Sequence, residues 1–158
     1  MKSIVIYDSA FGNTKKIADA IYSGLPDDAE IVQVGDMGRV KIKDFDLIIV
    51  GSPTQGGRPT AAISNFIKDL PENALKGVKI AAFDTRFTNR DHGIFLNTLM
   101  KVIGFAAAKI SRELVRKGGT LIEEPQGFIV HDTEGPLRVA EKERAKLWGS
   151  EIAGMVGI

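Results

Sequence analysis

The sequence predicts an α/β fold: an open five-stranded parallel sheet in the order 2-1-3-4-5, with helices on both faces. Three observations lead there. Short apolar runs rich in β-branched residues, Ile4 to Tyr7 and Phe45 to Val50 above all, lack the alternation of a half-exposed strand and match strands buried on both faces. Amphipathic helical stripes alternate with these runs, which gives right-handed crossovers between parallel strands. Polar, turn-rich loops follow runs one, three and four, so all three emerge at the same edge of the sheet. In this order the winding direction reverses between strands one and three, and ligands of open α/β sheets bind at that point, outside the carboxyl ends of the strands.

Each element has its own local signal. Strand one is Ile4 to Tyr7. The first helix puts Ile17, Ala18, Ile21 and Leu25 on one stripe and Lys15, Lys16 and Asp19 elsewhere, and Gly24 with Pro26 ends it. Glu30 to Val34 is strand two, while Gly35 to Lys43 is polar and holds a short helix at most. Strand three, Phe45 to Val50, stops at Gly51, and Ser52 to Pro59 is a loop dense in turn residues. After Thr60, residues Ala62, Ile63, Phe66, Ile67 and Leu70 form a helical stripe closed by Pro71. Val78 to Phe83 is strand four, and Asp84 to Gly93 is the polar segment at its end. Ile94 to Lys117 reads as helical, broken at Gly104, with Ile110, Leu114 and Val115 in the second piece and Gly118-Gly119 at its end. Thr120 to Ile122 and Phe128 to Val130 are two β-like runs: one interrupted strand, or a strand with a small hairpin arm. Gly135-Pro136 opens the last helix, where Val139, Ala140, Leu147, Trp148, Ile152 and Met155 fall near one face.

Composition bounds the function. A length of 158 residues matches one domain, spanning 1–158, and 44% hydrophobic with 26% charged residues is ordinary for a soluble globular chain. The net charge of +1 argues against nucleic-acid binding through a basic face and equally against a strongly acidic docking surface. With no cysteine, thiol catalysis and iron–sulfur clusters are excluded, and redox chemistry would need a bound organic cofactor. No apolar stretch has the length of a signal peptide or membrane span, so the expectation is a cytoplasmic protein with no membrane partner.

The stretch Ser9-Ala10-Phe11-Gly12-Asn13-Thr14, between strand one and the first helix, reads as a phosphate cradle. A strand running into a helix start through small and hydroxyl residues points backbone N–H groups and the positive end of the helix dipole at one spot. Ser9 and Thr14 add hydroxyls, Gly12 lets the backbone close tightly, and the absence of lysine leaves dipoles rather than formal charge to hold an anion. The alternative is an ordinary turn with Asn13 or Thr14 as helix N-cap. Other nucleotide and catalytic motifs are missing: Gly51 to Arg58 lacks the Lys-Ser/Thr of a P-loop, no Gly-x-Gly-x-x-Gly follows a strand, and no Gly-x-Ser-x-Gly elbow occurs. His92 and His131 are too few for a metal set, Trp148 reads as core, and the charged run Arg138 to Lys146 alternates in sign like a solvated helix face.

These residues resemble the flavodoxin family, whose signature of an apolar pair and an aromatic, then hydroxyl, small and threonine positions is met by Val5-Ile6-Tyr7, Ser9, Gly12, Thr14 and Ala18. The resemblance extends to the order of elements over most of the chain. A looser likeness joins Phe83-Asp84-Thr85-Arg86 and Thr133-Glu134-Gly135-Pro136-Leu137 to small single-domain flavodoxin-like proteins. It implies bound FMN, with the phosphate in Ser9 to Thr14 and the isoalloxazine between Pro53, Thr54, Gln55, Gly56, Gly57 and Arg58 on one side and Asp84, Thr85, Arg86, Phe87 and Arg90 on the other. It also implies electron exchange with a redox partner protein or a small donor or acceptor.

The chain departs from the family in two ways. Electron-carrying flavodoxins sandwich the ring between aromatics, whereas here the second loop offers Gln55 or Arg58 and the third only Phe87, which leaves one ring face open. They are also strongly acidic. Here Arg86, Arg90 and His92 would place positive charge by the ring and raise its potential by Coulomb attraction, unless Arg86 and Arg90 pair with Asp84 and Asp91. Gly56-Gly57 is either a peptide that rotates beside the ring on reduction or a plain turn. Three functions follow: an electron shuttle, a small NAD(P)H- or quinone-type reductase, or a binding module of the same fold without FMN.

Overall fold

A computed structural model describes residues 1–87 and 104–157. The strands are β1 (Ser3–Tyr7), β2 (Glu30–Gln33), β3 (Leu47–Pro53), β4 (Lys79–Phe87), β5 (Thr120–Leu121) and β6 (Gln126–Val130). The helices are α1 (Asn13–Tyr22), α2 (Ala61–Asp69), α3 (Ala106–Arg116) and α4 (Glu141–Val156). The sheet runs β2-β1-β3-β4-β5, and β6 also pairs with β4. All of these pairings are parallel. This is the expected order, with the fifth position filled by two short strands.

Both faces of the sheet are covered, as the unalternating apolar runs require. Val5, Leu47, Ile49, Ala81 and Phe83 point toward α1 and α4, where they meet Ile17, Ile21, Trp148 and Ile152. Ile4, Ile6, Ile48, Val50, Ile80 and Ala82 point the other way, onto Ile63 and Ile67 of α2 and Ile110 and Leu114 of α3. At the heart of the first layer Phe83, Phe128 and Trp148 meet edge to face, with ring centroids 6.1–6.4 Å apart.

Several boundaries differ from the sequence reading. β3 does not stop at Gly51 but continues to Pro53. Gly51 is there to clear space: a Cβ at that position would lie 2.0 Å from the Phe83 ring. β4 likewise continues through Asp84, Thr85 and Arg86 to Phe87 instead of ending at Phe83. The edge strand is interrupted, not a hairpin arm: β5 pairs with β4 at Lys79 and Ile80, and β6 resumes at Phe83 after the intervening residues loop out. The last helix begins at Glu141, well after Gly135-Pro136, and Val139, Leu147 and Met155 are exposed while Ala145, Trp148, Ile152 and Ala153 form its buried face. Gly104 has φ +76 and the described helix begins just after it, at Ala106. The first part of that run, and with it Arg90, Asp91 and His92, lies outside the described residues.

Candidate functional site

The carboxyl ends of β1, β3 and β4 open into one crevice of about 370 Å³. Its first wall is the turn between β1 and α1. Gly12 precedes the helix with φ +89, the left-handed region that a side chain disfavours. Neither Asn13 nor Thr14 caps α1; both are buried residues of its first turn with other tasks. Asn13 Nδ2 donates to the carbonyl of Glu134 (2.9 Å), tying the turn to the segment before α4. The hydroxyls of Thr14 and Thr85 share a hydrogen bond (2.7 Å) that joins α1 to β4. Ser9 Oγ accepts from the N–H groups of Gly12 and Lys15 and shapes the turn from within, so Ser9 and Gly12 stand behind the wall rather than on it.

The backbone N–H groups of Ala10, Phe11, Asn13 and Thr14 take no acceptor among the described residues. These four residues also line the crevice. Unpaired donors at the start of a ten-residue helix have the arrangement that favours an anion.

The second wall is the loop after β3. Gln55 and Arg58 exchange backbone hydrogen bonds (2.8 and 3.0 Å) around Gly56 and Gly57, whose φ values are both positive. This is a two-residue hairpin turn, and glycine at both central positions is what such a turn prefers. Pro53, Thr54 and the Gln55–Gly57 tip face the crevice, whereas Arg58 points to a different groove between α2 and α3. Thr54 is fixed on both sides: its N–H donates to Thr85 O (2.9 Å), and its Oγ1 accepts from the N–H of Ala106 at the start of α3 (3.0 Å).

The third wall comes from β4, where the pleat divides the expected residues. Thr85 and Phe87 face the crevice. Asp84 and Arg86, one residue out of phase, turn to the α3 side. Asp84 is fully buried and receives both ends of the Arg86 guanidinium (2.6 and 2.7 Å) and the N–H of Ala107 (2.9 Å). Arg86 also stacks 3.7 Å from the centroid of the Phe105 ring and lies over Gly127, where a Cβ would come within 2.2 Å of it. The expectation that Asp84 and Arg86 line the site is therefore corrected. The Arg86 charge is matched by Asp84 and is not presented to the crevice.

A fourth wall, Val130 at the end of β6 and Thr133 beyond it, was not among the expected site residues. Its sequence signal was the Thr133-Glu134-Gly135-Pro136-Leu137 string. Every described residue lining the crevice is uncharged. Two exposed aromatic side chains, Phe11 (54%) and Phe87 (37%), stand at it, so the first loop supplies an aromatic that the second lacks.

The model of the flavodoxin domain family matches residues 4–110. The chain belongs to that family. The match covers the first two walls and β4. No curated protein matches the sequence. Among solved structures, a flavodoxin from the domain Archaea superposes with a TM-score of 0.75 at 23% identity, with all of both chains covered. The flavodoxin, WrbA-like protein from Agrobacterium tumefaciens gives 0.73 at 18% identity over 99% of this chain and 97% of that one. The flavodiiron protein from Giardia intestinalis gives 0.71 at 19% identity; 98% of this chain corresponds to 36% of that one. At these identities the likeness is one of fold.

Among the described residues, no helix is long and apolar enough to cross a membrane, and no group of histidine, aspartate and glutamate side chains converges as metal ligands.

Proposed function

We propose that this flavodoxin-family chain binds FMN in the crevice and serves as a redox protein, passing electrons through the flavin to or from a partner protein or a small donor or acceptor. The observation that carries the reading is the nest of N–H groups at Ala10, Phe11, Asn13 and Thr14 that take no acceptor among the described residues, set at the switch point of the sheet beside a crevice whose described lining is uncharged and partly aromatic. A phosphate fits the nest, and the Thr14 hydroxyl stands beside it. A planar ring system fits between the Gly56-Gly57 turn and the side chains of Phe11 and Phe87. Bound FMN would supply the electron-accepting chemistry, which no side chain of a cysteine-free protein offers.

The chain's own part is to hold, shield and tune. The glycine turn lets backbone approach the ring closely, and the two phenylalanines exclude water from it. Among the described residues the crevice wall carries no cation to favour an anionic reduced ring, and Arg86 is paired with Asp84 away from it, so the tuning these residues supply is by backbone dipoles and desolvation.

Titration of the purified protein with FMN tests this. The visible absorbance and fluorescence of the flavin should change saturably at one equivalent. At FMN a hundredfold above its Kd, the melting temperature should rise by roughly 5–10 °C. A protein whose melting temperature ignores excess FMN would overturn the proposal. Oxidation of NAD(P)H by the loaded protein in the presence of a quinone or dye would make it a reductase, and no turnover would leave it a shuttle.

A further inference from the structure

On the opposite face of the sheet, α2 and α3 enclose a second groove of about 680 Å³. Its apolar base is formed by Pro59 and Ala61, backed by the buried Ile67 and Ile110. Around that base stand four cations, Arg58, Lys68, Lys109 and Arg112. Among the described residues none of the four is ion-paired. Glu113, which also lines the groove, is engaged by Arg116. On a chain whose net charge is only +1, this is a local concentration of positive charge.

Like charges gathered around one opening repel one another, and a bound polyanion relieves that repulsion. Lys109 and Arg112 are three residues apart on α3 and so share a face, while Lys68 comes from α2 and Arg58 from the loop ahead of it. Arginine suits a planar, two-pronged grip on phosphate, and lysine acts as a point charge beside it. The concave shape and apolar base distinguish the groove from a flat electrostatic patch. Its volume falls in the range of small-molecule sites, which runs from about 300 to 1,000 Å³. A ligand with several phosphate charges and an apolar ring satisfies both features. Arg58 directly follows Gly57, so the groove begins where the second wall of the crevice ends.

We propose that the groove between α2 and α3 binds a phosphorylated nucleotide, with its phosphates among Arg58, Lys68, Lys109 and Arg112 and its base against Pro59 and Ala61. The site is separate from the flavin crevice and does not depend on the crevice holding FMN.

Calorimetric titration of the full chain with ADP-ribose, ADP-ribose 2′-phosphate, adenosine and inorganic pyrophosphate tests the proposal. The two phosphorylated nucleotides should bind, with adenosine and pyrophosphate each at least about tenfold weaker because each supplies only half of the contact. The double variant Lys109→Ala/Arg112→Ala should weaken nucleotide binding by about tenfold or more while leaving FMN affinity and the melting temperature unchanged. Arg112 is exposed and Lys109 half-buried on α3, and an unchanged melting temperature separates a loss of binding from a loss of folding. Absence of nucleotide binding, equal binding of pyrophosphate, indifference to the double variant, or displacement of the nucleotide by FMN would each overturn it.

Discussion

The two faces of β4 carry neighbouring residues to opposite ends. On one face Phe83 anchors the aromatic core and Thr85 and Phe87 continue into the crevice. On the other, Asp84 and Arg86 satisfy each other beneath Phe105 and hold the start of α3. The difference shows how a strand that outruns its hydrophobic core can serve two purposes: its period of two sends Thr85 and Phe87 toward the crevice and Asp84 and Arg86 into a closed internal network. Polarity alone does not separate them, but their hydrogen-bond partners do.

If this division is right, substitutions on the two faces fail differently. Asp84→Ala should have the largest effect on stability, about 3 kcal/mol by urea denaturation, because it strands a largely buried guanidinium and removes the acceptor of the Ala107 N–H. FMN affinity per folded molecule should change little; a loss of affinity without a loss of stability would break the comparison. Gly51→Ala should cost about 2 kcal/mol, since the added methyl collides with the Phe83 ring and the core must shift. Thr85→Val, on the crevice face, should cost about 1 kcal/mol by leaving Thr14 Oγ1 without its partner. It should weaken FMN by about fivefold as the nest loses its tie to β4.

The smallest effect concerns the strap that holds the fourth wall. Glu141 at the start of α4 accepts from the N–H of Ile129 (2.7 Å) and pairs with Arg144, whose guanidinium lies over the Phe128 ring. Burial alone would raise its carboxyl, but the hydrogen bonds from Arg144 and Ile129 outweigh it and hold the group below its ordinary value of 4.5. The sign follows: the stabilisation is complete above about pH 4.5 and is lost as the pH falls further, through the depressed value in the folded state. Stability measured from pH 7 down to 3 should therefore fall less steeply in Glu141→Gln than in the parent, from a lower starting point. Parallel acid limbs would contradict the strap.

The strand order and the crevice were legible because the signals are local and repeated. Ile4 to Tyr7 and Leu47 to Val50 announce buried parallel strands by composition, and Gly12 marks the strand-to-helix turn. The third wall is not legible because Asp84-Thr85-Arg86 reads as loop polarity. The spacing of Asp84 and Arg86 allows an ion pair, but nothing local says that the pair will lie in a central strand or that Asp84 will also accept a helix N–H twenty-three residues on. Gly51 reads as a strand end for a similar reason: the Phe83 ring that requires it lies on another strand. The last helix was placed too early because Gly135-Pro136 imitates a helix start, whereas the chain first pairs along the edge of β6, with Arg138 N–H donating to Ile129 O (2.9 Å), before α4 begins. Arg86 shows the electrostatic side of this: the sequence leaves open a charge beside the ring or an ion pair with Asp84, and the continued strand holds the pair.

The central claim is that a phosphate sits on the N–H nest of Ala10 to Thr14. Comparing the Kd of FMN with that of riboflavin, which has the same ring and no phosphate, tests it most directly. Several charge-assisted hydrogen bonds to one dianion predict that FMN binds at least about a hundredfold more tightly. Equal affinity for the two would contradict the account, because the ring would then be held without the nest.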